Sequence, residues 1–138
     1  MTVSATARTT GHIGYSETLP RDAGSAAAAR RLVRTALTEW GLEHVVEDSA
    51  LVVTELVANA VNHTRDSSIQ VVVARPADGR VRIGVMDKSR TMPVLRCPAD
   101  SEVHGRGLAL VDALTIQWGT DREDSGKCVW GELRAESR

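Results

Sequence analysis

Residues 48–64 read DSALVVTELVANAVNHT, and the spacing of the apolar side chains in this stretch decides the fold. Leu51, Val52, Val53, Leu56, Val57, Ala60 and Val61 recur at the period of a helix and cover most of its circumference, as burial against a sheet requires. Four polar residues, Glu55, Asn59, Asn62 and His63, interrupt that surface on one side. Three and four positions apart on a helix, their Cβ atoms are neighbours at about 5–6 Å. Burying such groups with nothing to bond costs roughly 1–3 kcal/mol each. The stripe therefore either meets solvent or lines a site, and the chain downstream favours the second.

Upstream, residues 1–14 are mostly Thr, Ser, Ala and Gly and read as a mobile tail, with residues 15–138 forming one domain. Tyr15 to Leu19 reads as a short strand stopped by Pro20. Asp22 or Ser25 can cap a helix that runs through Ala26, Ala29, Leu32, Val33, Ala36 and Leu37 to Trp40, where Gly41 ends it. A short connection through Glu43 leads into the central helix, which closes at His63 and Thr64 before the polar turn Arg65, Asp66, Ser67, Ser68.

Beyond that turn the period changes to two. Ile69, Val71 and Val73, then Val81, Ile83 and Val85, alternate with their neighbours across a hairpin connection from Pro76 to Gly79. The second strand ends at Met86 and Asp87. Lys88 to Glu102 has no periodicity and contains Pro93 and Pro98, so it reads as a long functional or mobile loop, a candidate lid. Gly105, Arg106 and Gly107 then precede a short apolar helix from Leu108 to Leu114, with Leu110 and Val111 on its buried side. Ile116 to Gly119 reads as a strand and Thr120 to Gly126 as a turn. From Lys127 to Leu133, Cys128, Trp130 and Glu132 alternate with Val129, Gly131 and Leu133. Hairpin-like strands with helices that do not alternate strictly with them predict an α+β fold, a two-layer sandwich in which helices cover one face of a mixed or antiparallel sheet.

Composition narrows the function classes. A chain of 138 residues with 42% hydrophobic side chains fills one core, built mainly from aliphatic residues because Phe is absent. Its net charge of −1 and the small basic patch of Arg30, Arg31 and Arg34 argue against direct nucleic acid binding. Cys97 and Cys128 make no metal-type pair, and the four histidines, His12, His44, His63 and His104, do not fall at zinc spacings. Two reduced thiols, no apolar run near the roughly 20 residues that span a bilayer and no leader-like N-terminus predict a cytoplasmic protein with no membrane partner.

Three features point to one chemistry: the Glu55 and Asn59 stripe, Asp87 where a strand gives way to a long loop, and the Gly105 and Gly107 pair at a helix start. Glycines let backbone approach phosphates, and the N–H groups of the helix they open favour anions. The common nucleotide motifs are excluded by counting. Leu110 stands where a dinucleotide fingerprint needs a third glycine, and Asp121 and Cys128 stand where a P-loop ending in Gly126 and Lys127 needs glycine and Ser or Thr.

In order, TELVANAVNH, VMD, GRGLALVDAL and GKCVW resemble the motifs of the ATP-binding domain shared by gyrase B, sensor histidine kinases and bacterial anti-sigma-factor serine kinases, the Bergerat or GHKL fold. The likeness runs from about Leu19 to Leu133 and is closest to the short, stand-alone actinobacterial anti-sigma type. It implies an ATP- and Mg²⁺-dependent serine/threonine kinase that binds a sigma factor and phosphorylates a STAS-type antagonist, as a homodimer. On this resemblance Asn59 holds Mg²⁺ against the phosphates and Glu55 is the base towards the attacking hydroxyl. Asp87 receives the adenine amino group, Gly105, Arg106, Gly107 and Leu108 belong to the ATP lid, and Cys128 takes the place of a Thr that helps hold adenine. Ser89 replaces a usual glycine. The rival reading keeps the fold but regulates its partner by occupancy alone. A histidine kinase fragment is disfavoured, because no dimerisation helix pair with a phosphoacceptor histidine precedes the domain.

Overall fold

Alternating Ile69, Val71 and Val73 on one strand and Val81, Ile83 and Val85 on the next are all buried, and their pleat sets the inner face of the sheet. The computed structural model describes residues 3–7, 13–64, 66–87, 109–123 and 126–135. In chain order these form β1 (Val3–Ala7), β2 (Ile13–Pro20), α1 (Ser25–Glu39), a 3-10 turn (Glu43–Val45), α2 (Val46–His63), β3 (Ser68–Arg75) and β4 (Arg80–Asp87). A short helix α3 over 109–114, β5 (Gln117–Glu123) and β6 (Gly126–Arg134) complete them. The six strands lie in the order β1-β2-β3-β4-β6-β5, and every neighbouring pair is antiparallel. Of the two sheets that the sequence allowed, mixed or antiparallel, the described strands form the antiparallel one. The fold is α+β, with α1 and α2 packed on each other and on the same face of this sheet.

One inward row runs Glu17, Val71, Val85, Val129, and the next runs Tyr15, Val73, Ile83, Gly131. Over these rows lie Ala29, Leu32, Val33, Ala36 and Leu37 of α1 and Val52, Val53, Leu56, Val57 and Ala60 of α2, in one buried cluster. At about 25 cal/mol per Å² of apolar surface, this aliphatic cluster is the main source of stability in a chain without Phe. Gly131 lets α2 come close: a Cβ there would stand 3.4 Å from Val52 Cγ1 and 3.0 Å from Thr115 Cγ2.

Local signals explain the ends of both helices. Gly41 has φ +72°, the Gly41 N–H bonds the Thr38 carbonyl and the Leu42 N–H bonds the Leu37 carbonyl, with both leucines buried. That is a Schellman cap, which needs glycine at its left-handed position. Asp22 arranges the start of α1 through its carbonyl, which accepts from the Ser25 N–H, and its Oδ1, which accepts from the Gly24 N–H. Ser25 Oγ instead donates to the Pro20 carbonyl at 2.6 Å. At the end of α2 the Thr64 N–H reaches the Ala60 carbonyl, and Arg21 Nη1 donates to the Thr64 carbonyl at 2.9 Å.

Three expectations are corrected. Residues 1–14 are not all tail, since Val3–Ala7 is a strand paired with β2, which itself begins at Ile13. Thr120 to Glu123 continue β5 instead of forming a turn, pairing with Val129 to Gly126. Leu51 does not join the core; it is 46% exposed.

Candidate functional site

α2 runs towards the end of the sheet where β4 stops. Val52 lies against Gly131 in the middle of β6, whereas the C-terminus of α2 joins β3 through the short link between Thr64 and Ser68. The start of β3 pairs with the end of β4, Gln70 opposite Met86. The second half of α2, carrying Glu55 and Asn59, therefore shares one end of the sheet with Asp87. Both α2 side chains are half-buried, and among the described residues neither is engaged in a hydrogen bond or ion pair. His63 is half-buried and Asn62 is exposed, so the polar stripe grades from the site towards solvent.

Asp87 is the last residue of β4 and follows Val81, Ile83 and Val85 onto the helix-covered face by the period of two. Opposite it in register stands Lys127, and Lys127 Nζ lies 3.8 Å from Asp87 Oδ2, with side chains only 3% and 2% exposed. Buried charges of this kind persist only when paired. Lys127 was not singled out by motif reading, although the alternation of residues 127–133 carried its signal. That alternation sets Lys127 beside Val129 and Leu133 and sets Cys128 on the opposite face.

Cys128 accordingly is not at the site. It stands opposite Met86, and its Sγ lies 2.8 Å from where a Cβ of Gly84 would be, on the face that α1 and α2 do not cover. On the same face the Arg82 guanidinium sits 4.2 Å over the Trp130 ring and bonds Glu132 Oε1 at 3.0 Å. The parity of β6 places Lys127, and not Cys128, beside Asp87. Gly105, Arg106, Gly107, Leu108, Ser89, Cys97 and the lid from Lys88 to Glu102 lie outside the described residues.

One end of the sheet thus collects an acceptor-only carboxylate, a donor-only ammonium, an amide and a second carboxylate. The first two can read the edge of a heterocycle. Asn59 offers the kind of hard oxygen that Mg²⁺ takes alongside phosphates and water, so the donor set fits a Mg-nucleotide. Among the described residues no cluster of three His, Cys, Asp or Glu could hold a metal ion by itself, and no helix is long and apolar enough to cross a membrane.

The chain is similar to the crystal structure of the RsbU and RsbW domains of Rv1364c from Mycobacterium tuberculosis, at 26% identity and a TM-score of 0.65 over 88% of this chain. It covers 32% of the length of that chain. A search of curated proteins gives no match. The family model of the histidine kinase-like ATPase domain matches residues 19–131, from the end of β2 into β6. The chain belongs to the histidine kinase-like ATPase domain family.

Proposed function

We propose that this chain binds Mg-ATP and transfers its terminal phosphoryl group to a serine on a small STAS-type antagonist, in a circuit where it also binds a sigma factor. The observation that carries this reading is the pair Glu55 and Asn59, one helical turn apart and half-buried at the Asp87 end of the sheet. Likeness to a protein with an RsbW domain supports the same direction.

When bound, Mg-ATP supplies the phosphoryl group and the metal that neutralises its charge. Asn59 would contribute an amide oxygen to the metal shell, and Asp87 would accept hydrogen bonds from the base. Glu55 would accept the proton of the incoming serine hydroxyl as the serine oxygen takes the terminal phosphoryl group and ADP leaves. A base one turn from the metal ligand keeps both on one rigid element. The lid role of Gly105, Arg106, Gly107 and Leu108, and assembly as a homodimer, belong to the same proposal.

The ion pair at Asp87 favours one alternative, a regulatory module that holds its partner without transfer, because a base acceptor already facing Lys127 differs from an acceptor open to adenine alone. Labelled ATP, Mg²⁺ and STAS-type antagonists carrying a serine separate the two. Label on the serine is the expected result. Nucleotide binding with no transfer to any antagonist selects the module.

A further inference from the structure

Lys127 stands on the inner face of β6 in line with Val129 and Leu133, a position that an apolar side chain would fill at lower cost. Its ammonium lies 3.8 Å from Asp87 Oδ2, from the neighbouring strand and in direct register, and the two side chains are 3% and 2% exposed. No contact between the ammonium and a bound base is needed for this pair to matter. Its effect can pass through Asp87.

An ionised carboxylate accepts hydrogen bonds at either oxygen, whereas an ammonium only donates them. The charge of Lys127 holds Oδ2 towards β6 and so limits how the side chain at position 87 can turn. For a carboxylate the limit is harmless, because both ends are acceptors and either one suits the amino donor of adenine. An amide in the same place has two unlike ends. Beside a cation its oxygen turns to the ammonium, and its NH₂ is the end left for the ligand. That sets donor against donor.

We propose that Lys127 is a positioning residue for the base contact: it decides which end of the side chain at position 87 faces the ligand, and for that reason the contact needs an acid there and does not work with an amide. The inference rests on the nucleotide reading of the site and deepens it.

The test is titration calorimetry of the full chain in Mg²⁺ with ATP and with purine riboside triphosphate, the same nucleotide without its amino group. The wild type should prefer ATP at least roughly tenfold, the usual size of one charge-assisted bond. Asp87→Asn should lose or reverse that preference, because an NH₂ held towards the ligand opposes the amino group and tolerates its absence. Asp87→Asn/Lys127→Met removes the cation and lets the amide turn its oxygen to the base, which should restore a preference for ATP of at least roughly threefold. A general loss of structure weakens both nucleotides together and leaves their ratio unmoved, so the ratio reports orientation. Lys127→Arg and Lys127→Gln in the Asp87→Asn background repeat the comparison with a second cation and a second neutral side chain, and serve as the readout where one of the first variants does not fold. The same ratio with the cation present and absent overturns the role of Lys127 while leaving the nucleotide site standing. A wild type that binds the two nucleotides equally removes Asp87 from the base and overturns the inference. A wild type that binds neither overturns the nucleotide reading, and this inference with it.

Discussion

Cys128 Sγ lies 2.8 Å from the point where a Cβ on Gly84 would stand, so Gly84 leaves the room that the thiol occupies on the helix-free face of the sheet. Gly84→Ala should destabilise the chain by about 1–3 kcal/mol through overpacking. Because the clash is with one short side chain, adding Cys128→Ala should recover most of the loss, a coupling that urea denaturation of the single and double variants measures. Cys128→Ala alone should leave nucleotide affinity unchanged, since the thiol is on the far side of the sheet from Asp87.

Helix α2 permits a sharper contrast. Leu56 is fully buried, and Leu56→Ala should cost about 2–5 kcal/mol, whereas Leu51→Ala at an exposed position should change stability by about 0.5 kcal/mol or less. Ser49 is also fully buried, and its Oγ has no hydrogen-bond partner among the described residues. Ser49→Ala should therefore stabilise the chain by about 1 kcal/mol, combining relief of the unpaired hydroxyl with better helix propensity. Thermal unfolding of the three variants checks the order: Ser49→Ala above wild type, Leu51→Ala near it and Leu56→Ala far below.

Much of this architecture is legible in the amino-acid sequence where the signal is local. The β3–β4 hairpin follows from two runs of alternating Val and Ile with Gly79 at φ +76° between them, and α1 stops where Gly41 must. Elements that depend on distant pairing are not legible in this way. The strand Val3–Ala7 has the composition of a tail and is a strand only because β2 offers an edge. Thr120, Asp121 and Arg122 read as a turn, yet exposed polar side chains are what an edge strand such as β5 displays. Motif likeness pointed to Glu55, Asn59 and Asp87, which the fold brings to one end of the sheet, and to Cys128, which lies on the opposite face, because a motif fixes position in a string whereas the pleat fixes the face. Counting in twos from Val129 selects Lys127.

Glu55 separates transfer from binding. A base that acts on the incoming hydroxyl does not hold the nucleotide, so Glu55→Ala should keep Mg-ATP affinity within about twofold while phosphoryl transfer to the antagonist serine falls roughly 10²–10⁴-fold. Single-turnover transfer with labelled ATP provides the rate. Wild-type transfer by Glu55→Ala would remove it from the chemistry.

The central claim is that α2 and the end of β4 form one Mg-nucleotide site, and calorimetric titration with ATP, in Mg²⁺ and in EDTA, tests it most directly. Wild-type affinity should fall at least tenfold when Mg²⁺ is removed. Asn59→Ala should bind weakly in Mg²⁺ and lose the metal dependence, because on the proposed reading the lost amide would belong to the metal shell. Asp87→Asn should weaken binding in both conditions, because an acceptor-only carboxylate becomes an amide that also donates. A wild type that gives neither heat nor a thermal shift at millimolar Mg-ATP, or variants at Asn59 and Asp87 that bind as wild type does, would contradict the account.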